Sequence, residues 1–146
     1  MGDASTGTGG LRILICDSDR GVSDALGRAL AADRLVASTR EADSIAAAKE
    51  VLNAKGANIV FLDFLAFGWY ESTDFIFAFR RKDPSVVFVL HVDDEAIGQN
   101  ASFFYGERRR LLVYYRLARH LEGAELAAEV HSVLVHCMMD LGMSAS

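Results

Sequence analysis

Proline is almost missing from this chain: Pro84 is the only one among 146 residues. No low-complexity block, internal repeat or second domain is visible, and one domain is the natural count for this length. Cysteine is nearly as scarce. Cys16 falls inside an expected strand and Cys137 inside an expected helix, so they form no disulfide framework, and a reducing cytoplasm is the expected compartment. No apolar run reaches the length of a membrane span, and no secretory signal is visible. An excess of positive charge is lacking too. Lys and Arg number 15 against 20 Asp and Glu, for a net charge of −5, which argues against a general nucleic-acid binder. The run Gly7-Thr8-Gly9-Gly10 precedes a strand instead of following one, so it is no phosphate-binding loop. No Ser/His/Asp set has local support as a nucleophile system.

Apolar residues are abundant, at 51% of the chain, which argues against disorder. Two apolar stretches end in acid: Arg12-Ile13-Leu14-Ile15-Cys16-Asp17-Ser18-Asp19 and Asn58-Ile59-Val60-Phe61-Leu62-Asp63. Such runs read as strands buried on both faces of a parallel sheet, and ligands bind at the carboxyl edge of such sheets. Side by side, the two strands would place Asp17, Asp19 and Asp63 around one pocket. Clustered carboxylates repel each other unless a cation neutralises them.

Residues 1 to 10 read as a flexible tail. Met1-Gly2-Asp3-Ala4-Ser5-Thr6 fits a myristoylation pattern loosely, beside the plainer reading of a loose terminus. A single domain is expected over 11–142. Strands are predicted at Leu11–Cys16, Arg34–Ser38, Asn58–Asp63, Val86–Val92 and Leu111–Arg116. A first helix carries Val22, Ala25, Leu26, Ala29 and Leu30 on one face, with Asp19 or Ser18 as its cap. A second helix is expected over Glu41–Ala54, stopped by Gly56. A third starts at Ser72 or Thr73, turns Phe75, Ile76 and Phe79 inward, and ends at Asp83-Pro84. A fourth, capped by Asp93 and Asp94, is weakened by Gly98 and Gly106. The last spans Glu122–Leu141, with Leu126, Val130, Val133, Leu134, Cys137 and Leu141 as its stripe. Five strands alternating with five helices give an α/β fold, a parallel sheet with helices on both faces.

The strand ends Ile13-Leu14-Ile15-Cys16-Asp17-Ser18-Asp19 and Ile59-Val60-Phe61-Leu62-Asp63, with this order of elements, resemble the receiver domain of two-component response regulators. The resemblance implies a flavodoxin-like five-stranded sheet of order 2-1-3-4-5. It implies that Asp63 accepts a phosphoryl group from a histidine kinase or phosphotransfer protein. Asp17 and the backbone carbonyl of Leu65 would be ligands of Mg²⁺, which neutralises the reacting oxygens. The chain departs from the pattern in several places. Ser18 stands where a second metal-binding aspartate is usual, and a hydroxyl is a poorer ligand for a hard cation, so weak Mg²⁺ binding is expected. Asp19 either compensates or only caps the helix. His91 replaces the Thr or Ser that contacts the phosphoryl group, which would blunt the switch or make it pH-dependent. The Lys-Pro after the fifth strand is missing, with Arg116-Leu117 the nearest match. The proline expected after the acceptor is absent as well.

Three functions follow in order. The first is a receiver in a phosphorelay, signalling by protein–protein contact and turning over no diffusible substrate. The second is a degenerate pseudo-receiver acting as a phosphorylation-independent interaction or dimerisation module. The third is a flavodoxin-like enzyme or nucleotide binder, weakened because Asp17-Ser18-Asp19 would repel phosphate. The apolar segment Phe64–Tyr70 reads as a lid on the core or as a docking surface. Arg108-Arg109-Arg110 reads as a solvated face or as a patch for phosphate or an acidic partner. His131 and His136, five apart, do not share a helix face for metal binding. Val135, Met138 and Met139 lie beside the stripe of the last helix, and Tyr114 and Tyr115 lie on an edge strand. A homodimer through that helix and strand would cover them.

Overall fold

The computed structural model describes residues 10–93, 95 and 114–143. Five strands form one parallel sheet: β1 (Leu11–Cys16), β2 (Val36–Ala42), β3 (Ile59–Leu62), β4 (Val87–His91) and β5 (Tyr114–Leu117). Their order is β2-β1-β3-β4-β5, as expected. Four helices are described: α1 (Arg20–Ala31), α2 (Ile45–Asn53), α3 (Trp69–Lys82) and α4 (Gly123–Asp140). Residues 1–9 of the expected tail, the expected helix after Asp94 apart from Glu95, and the Arg108–Arg110 run lie outside the described residues.

Strand alternation sorts the core into two layers. Leu14, Cys16, Val60, Leu62, Phe88 and Leu90 face Ala48 and Leu52 of α2 and Phe75, Ile76 and Phe79 of α3. Ile13, Ile15, Ile59, Phe61, Val87 and Val89 face Leu26 and Leu30 of α1 and Leu126, Val130 and Leu134 of α4. The three central strands are therefore apolar on both faces, which is why they read as continuous hydrophobic runs.

Several boundaries differ from expectation, each for a local reason. Glu41 and Ala42 pair with Ile15 and Cys16 as the end of β2, so they cannot begin a helix. Ser44 caps α2 instead, accepting the Ala47 N–H at 3.1 Å. β2 is an edge strand, and its polar Thr39-Arg40-Glu41 concealed its second half from a reading based on apolar runs, which ended the strand at Ser38. At the far end of α2, Lys55 takes the left-handed conformation (φ 58°) and the Gly56 N–H reaches the Val51 carbonyl at 2.9 Å. Helix α3 begins at Trp69, after Gly68 (φ 91°), earlier than Ser72 or Thr73. Both of those residues are buried within it, and the Ser72 hydroxyl donates to the Phe64 carbonyl at 2.9 Å.

That bond pins the apolar segment after β3 onto the core. Phe64 is fully buried, and Leu65 and Phe67 pack against the α2–α3 layer. The lid reading therefore holds for these residues, whereas Tyr70 is 75% exposed. Phe64→Ala should cost about 3–5 kcal/mol, as for a large aromatic removed from a packed core. Tyr70→Ala should stay within about 0.5 kcal/mol. Urea unfolding of the two variants checks this contrast.

Candidate functional site

Register brings the two acids together. Cys16 and Leu62 are paired last residues of β1 and β3, and the Asp63 N–H donates to the Cys16 carbonyl at 3.0 Å. Asp17 and Asp63 thus leave the sheet side by side at its carboxyl edge. Both are buried, each 5% exposed. Burying two carboxylates in contact requires positive charge nearby.

The positive charge comes from Arg119, in the loop between β5 and α4. Its Nη1 donates to Asp17 Oδ2 at 2.8 Å and lies 3.4 Å from Asp63 Oδ1, while Nη2 reaches Asp17 Oδ1 at 3.4 Å. The loop itself is anchored. The His120 N–H donates to Asp93 Oδ1 at 2.9 Å, the His120 ring Nδ1 lies 2.9 Å from the same oxygen, and the Val92 N–H donates to the Leu117 carbonyl. The segments after β4 and β5 are thereby tied together around the guanidinium.

Arg116, the expected cationic contact, does not reach this pocket. It lies exposed on β5, paired with Leu90. Leu117 and Tyr115 pack into the α1–α4 layer, so alternation turns Arg116 to the opposite face. The strand ends one residue later than expected, at Leu117, and the arginine in the loop beyond it is Arg119. The second arginine in Arg116-Leu117-Ala118-Arg119 is the signal the sequence holds for it.

The other expected residues fall on the rim or in the wall. Ser18 is exposed. Asp19 caps α1, accepting the Val22 N–H at 3.2 Å, and its own N–H donates to Asp17 Oδ1 at 2.9 Å. The Leu65 carbonyl accepts the Gly68 N–H at 3.2 Å. His91 ends β4, buried, with Nδ1 3.7 Å from Asp17 Oδ2. That separation is too long for a hydrogen bond, and Nδ1 has no hydrogen-bond partner among the described residues. A cavity of about 350 Å³ opens beside Asp17, lined also by Ser18, Arg20, Ser23, Glu41 and Asp43.

The two carboxyls are pushed in opposite directions. Burial disfavours the Asp17 charge, but the adjacent His91 ring and the Arg119 bonds outweigh it and hold Asp17 well below the ordinary carboxylate range. Asp63 is raised, first by burial and then by the Asp17 charge, against the opposing pull of Arg119. Cys16, behind the pair, is pushed up to about 12 by burial and by Asp17, Asp63 and Asp43, so its thiol is not a nucleophile.

This arrangement does not fit a divalent cation. The guanidinium stands between the carboxylates, Asp19 is committed to its helix, and the Leu65 carbonyl closes a turn. Among the described residues no three His, Cys, Asp or Glu side chains converge to hold a metal ion.

The fold has known counterparts. No family model matches the chain, and no curated protein matches it. Among solved structures, the receiver domain of NtrX from Brucella abortus matches at 18% identity with a TM-score of 0.64, over 90% of this chain and 99% of that one. The signal receiver domain of an HD domain-containing protein from Pseudomonas fluorescens Pf-5 matches at 17% identity and 0.64, over 88% and 89%. A LuxR-family two-component response regulator from Aurantimonas sp. SI85-9A1 matches at 17% and 0.63, over 86% of each chain. The fold is that of a response-regulator receiver domain. A longer NtrX structure matches with a TM-score of 0.67, and the chain spans 27% of its length.

Within this receiver fold, Asp17 and Asp63 should affect stability oppositely. Asp17 is depressed on folding, so its contribution is present above the unfolded pKa and is lost as pH falls through the lower, folded value. Asp63 is raised, so its charge destabilises the fold at neutral pH, and that cost is relieved as pH falls through the raised value. Asp17→Asn should lower stability at neutral pH by roughly 3 kcal/mol, as for a broken buried pair, and Asp63→Asn should increase it. On acidification the Asp63→Asn gain should vanish first, and the Asp17→Asn loss only below about pH 4. Urea unfolding across this range reads both.

Proposed function

We propose that this chain is a receiver-type signalling domain whose input site is the Asp17–Asp63–Arg119 pocket, with Asp63 as phosphoryl acceptor. The observation that carries this reading is the convergence of two buried carboxylates on one guanidinium at the carboxyl edge of a receiver sheet. Phosphoryl transfer to a carboxylate depends on positioning and on neutralising charge. Arg119 faces the acceptor oxygen from a fixed loop, and its charge suits the oxygens of a phosphoryl group. Asp17 holds the guanidinium in place. His91 is the candidate phosphoryl contact from β4. The donor would be a histidine kinase or phosphotransfer protein, and the output a protein–protein contact in a reducing compartment. Ser18, Asp19 and Leu65 keep the metal-ligand roles that the resemblance implies only if Mg²⁺ displaces Arg119.

A second reading is favoured by one specific observation. His91 fills the position of a small hydroxyl residue, and Asp63 is itself nearly inaccessible. A pseudo-receiver that signals without phosphorylation would keep such a closed pocket. Incubation with acetyl phosphate or phosphoramidate, followed by intact-mass spectrometry, separates the two. A single added phosphoryl group lost in Asp63→Asn is the expected result. An unmodified chain, or modification that survives Asp63→Asn, selects the second reading.

Self-association through α4 and β5 is a further part of the proposal. Its apolar area is smaller than the sequence implied: Met138 is buried and Val135 packs against the core, leaving Met139 exposed at 71%. Sedimentation at micromolar concentration should show a dimer that Met139→Glu dissociates. An unchanging monomer removes the proposal.

A further inference from the structure

The receiver pocket of this chain already contains a cation. One nitrogen of Arg119 faces both carboxylates, 2.8 Å from Asp17 Oδ2 and 3.4 Å from Asp63 Oδ1. The side chain is held there from behind, because His120 next to it is bonded to Asp93 through its backbone N–H. Most oxygens that a divalent ion would recruit have other partners. Asp17 Oδ1 takes the Asp19 N–H, Asp63 Oδ1 faces the Ala66 N–H at 3.4 Å, and Asp19 Oδ1 takes the Val22 N–H. The Leu65 carbonyl takes the Gly68 N–H, and Ser18 is exposed. Mg²⁺ demands near-octahedral oxygen ligands and sheds water reluctantly. Placed between these carboxylates it would also meet the like charge of the guanidinium.

We propose that Arg119 is the pocket's resident counter-ion and replaces the divalent cation, so that guanidinium and Mg²⁺ are alternative occupants of one position. The pair then has its positive partner at every Mg²⁺ concentration, and the pocket keeps its geometry in the presence of a chelator. The inference takes from the receiver reading only the expectation of a metal. Its test reads metal binding and thermal stability, not phosphorylation, so each can fail without the other.

The full chain is titrated with Mg²⁺ by calorimetry, and its thermal unfolding is followed in Mg²⁺ and in EDTA. The wild-type protein should give no saturable heat and no shift in Tm. Arg119→Met, which keeps the stem and removes the charge, should have a lower Tm that Mg²⁺ restores. It should bind Mg²⁺ saturably, roughly tenfold or more tighter than wild type, because a repelling unit charge has left the site. Adding Asp17→Asn to it should abolish that binding. Arg119→Lys, which keeps the charge, should remain insensitive to Mg²⁺. Saturable Mg²⁺ binding by the wild-type chain that is lost in Asp17→Asn overturns the proposal. So does a folded Arg119→Met protein with no gain in Mg²⁺ affinity. Should Arg119→Met fail to fold, the wild-type and Arg119→Lys titrations decide alone: saturable binding by either counts against the proposal, and its absence from both sustains it.

Discussion

Two carboxylates cannot be buried in contact without a positive charge, and the carboxyl edge of this sheet is organised around meeting that requirement. The β1–β3 register makes Asp17 and Asp63 neighbours. Once they are neighbours, the chain between β5 and α4 has to deliver Arg119 to the gap, and the His120–Asp93 contacts hold that segment in place. Asp17 takes the stronger share of the guanidinium and remains ionised. Asp63 takes the weaker share, and burial raises its pKa. The asymmetry has a simple origin: Asp17 receives two bonds from the arginine and a backbone N–H from Asp19, whereas Asp63 has one distant nitrogen and the Ala66 N–H.

The rest of the scaffold makes such a site tolerable. Beneath it the sheet is apolar on both faces, and Phe64 closes the layer directly after Asp63. Water is thus kept from the inner side of the pair while the outer side opens beside Asp17. Low dielectric strengthens the attraction of the guanidinium for each carboxylate and also the repulsion between the carboxylates. The arginine is therefore part of what lets the fold bury this pair.

Sequence reasoning located the parts that depend on apolar pattern. The three central strands, the inward faces of α1, α3 and α4, and the pairing of Asp17 with Asp63 all follow from period-two or helical spacing in strongly hydrophobic stretches. It did less well where polar residues do structural work. β2 carries Thr39, Arg40 and Glu41 on an exposed edge, so its end read as the start of a helix. Ser72 reads as a helix cap but is an interior residue bonded back to Phe64. Arg116 is the expected end of the fifth strand, whereas the strand runs on to Leu117 and the arginine that meets the carboxylates is Arg119, three residues further along. Short edge strands have no hydrophobic stripe to fix their limits, so residues counted from such an end inherit its error.

Arg119 also links the pocket to its surroundings. The guanidinium is shared between Asp17 and Asp63, and the next residue binds Asp93 beyond β4. Neutralising Asp63 would release one share of the guanidinium and leave it to Asp17 alone. Under the proposed phosphoryl transfer, oxygens added at Asp63 would draw it the other way. Either change loads the segment 118–122, which leads into α4, and through His120 the segment after β4. The same side chain that holds the two carboxylates is thus tied to the segments that follow β4 and β5. Removing Arg119 should therefore loosen both carboxylates and the 118–122 segment together, whereas changing His91 should take away one support of the Asp17 charge and leave the Arg119 contacts in place.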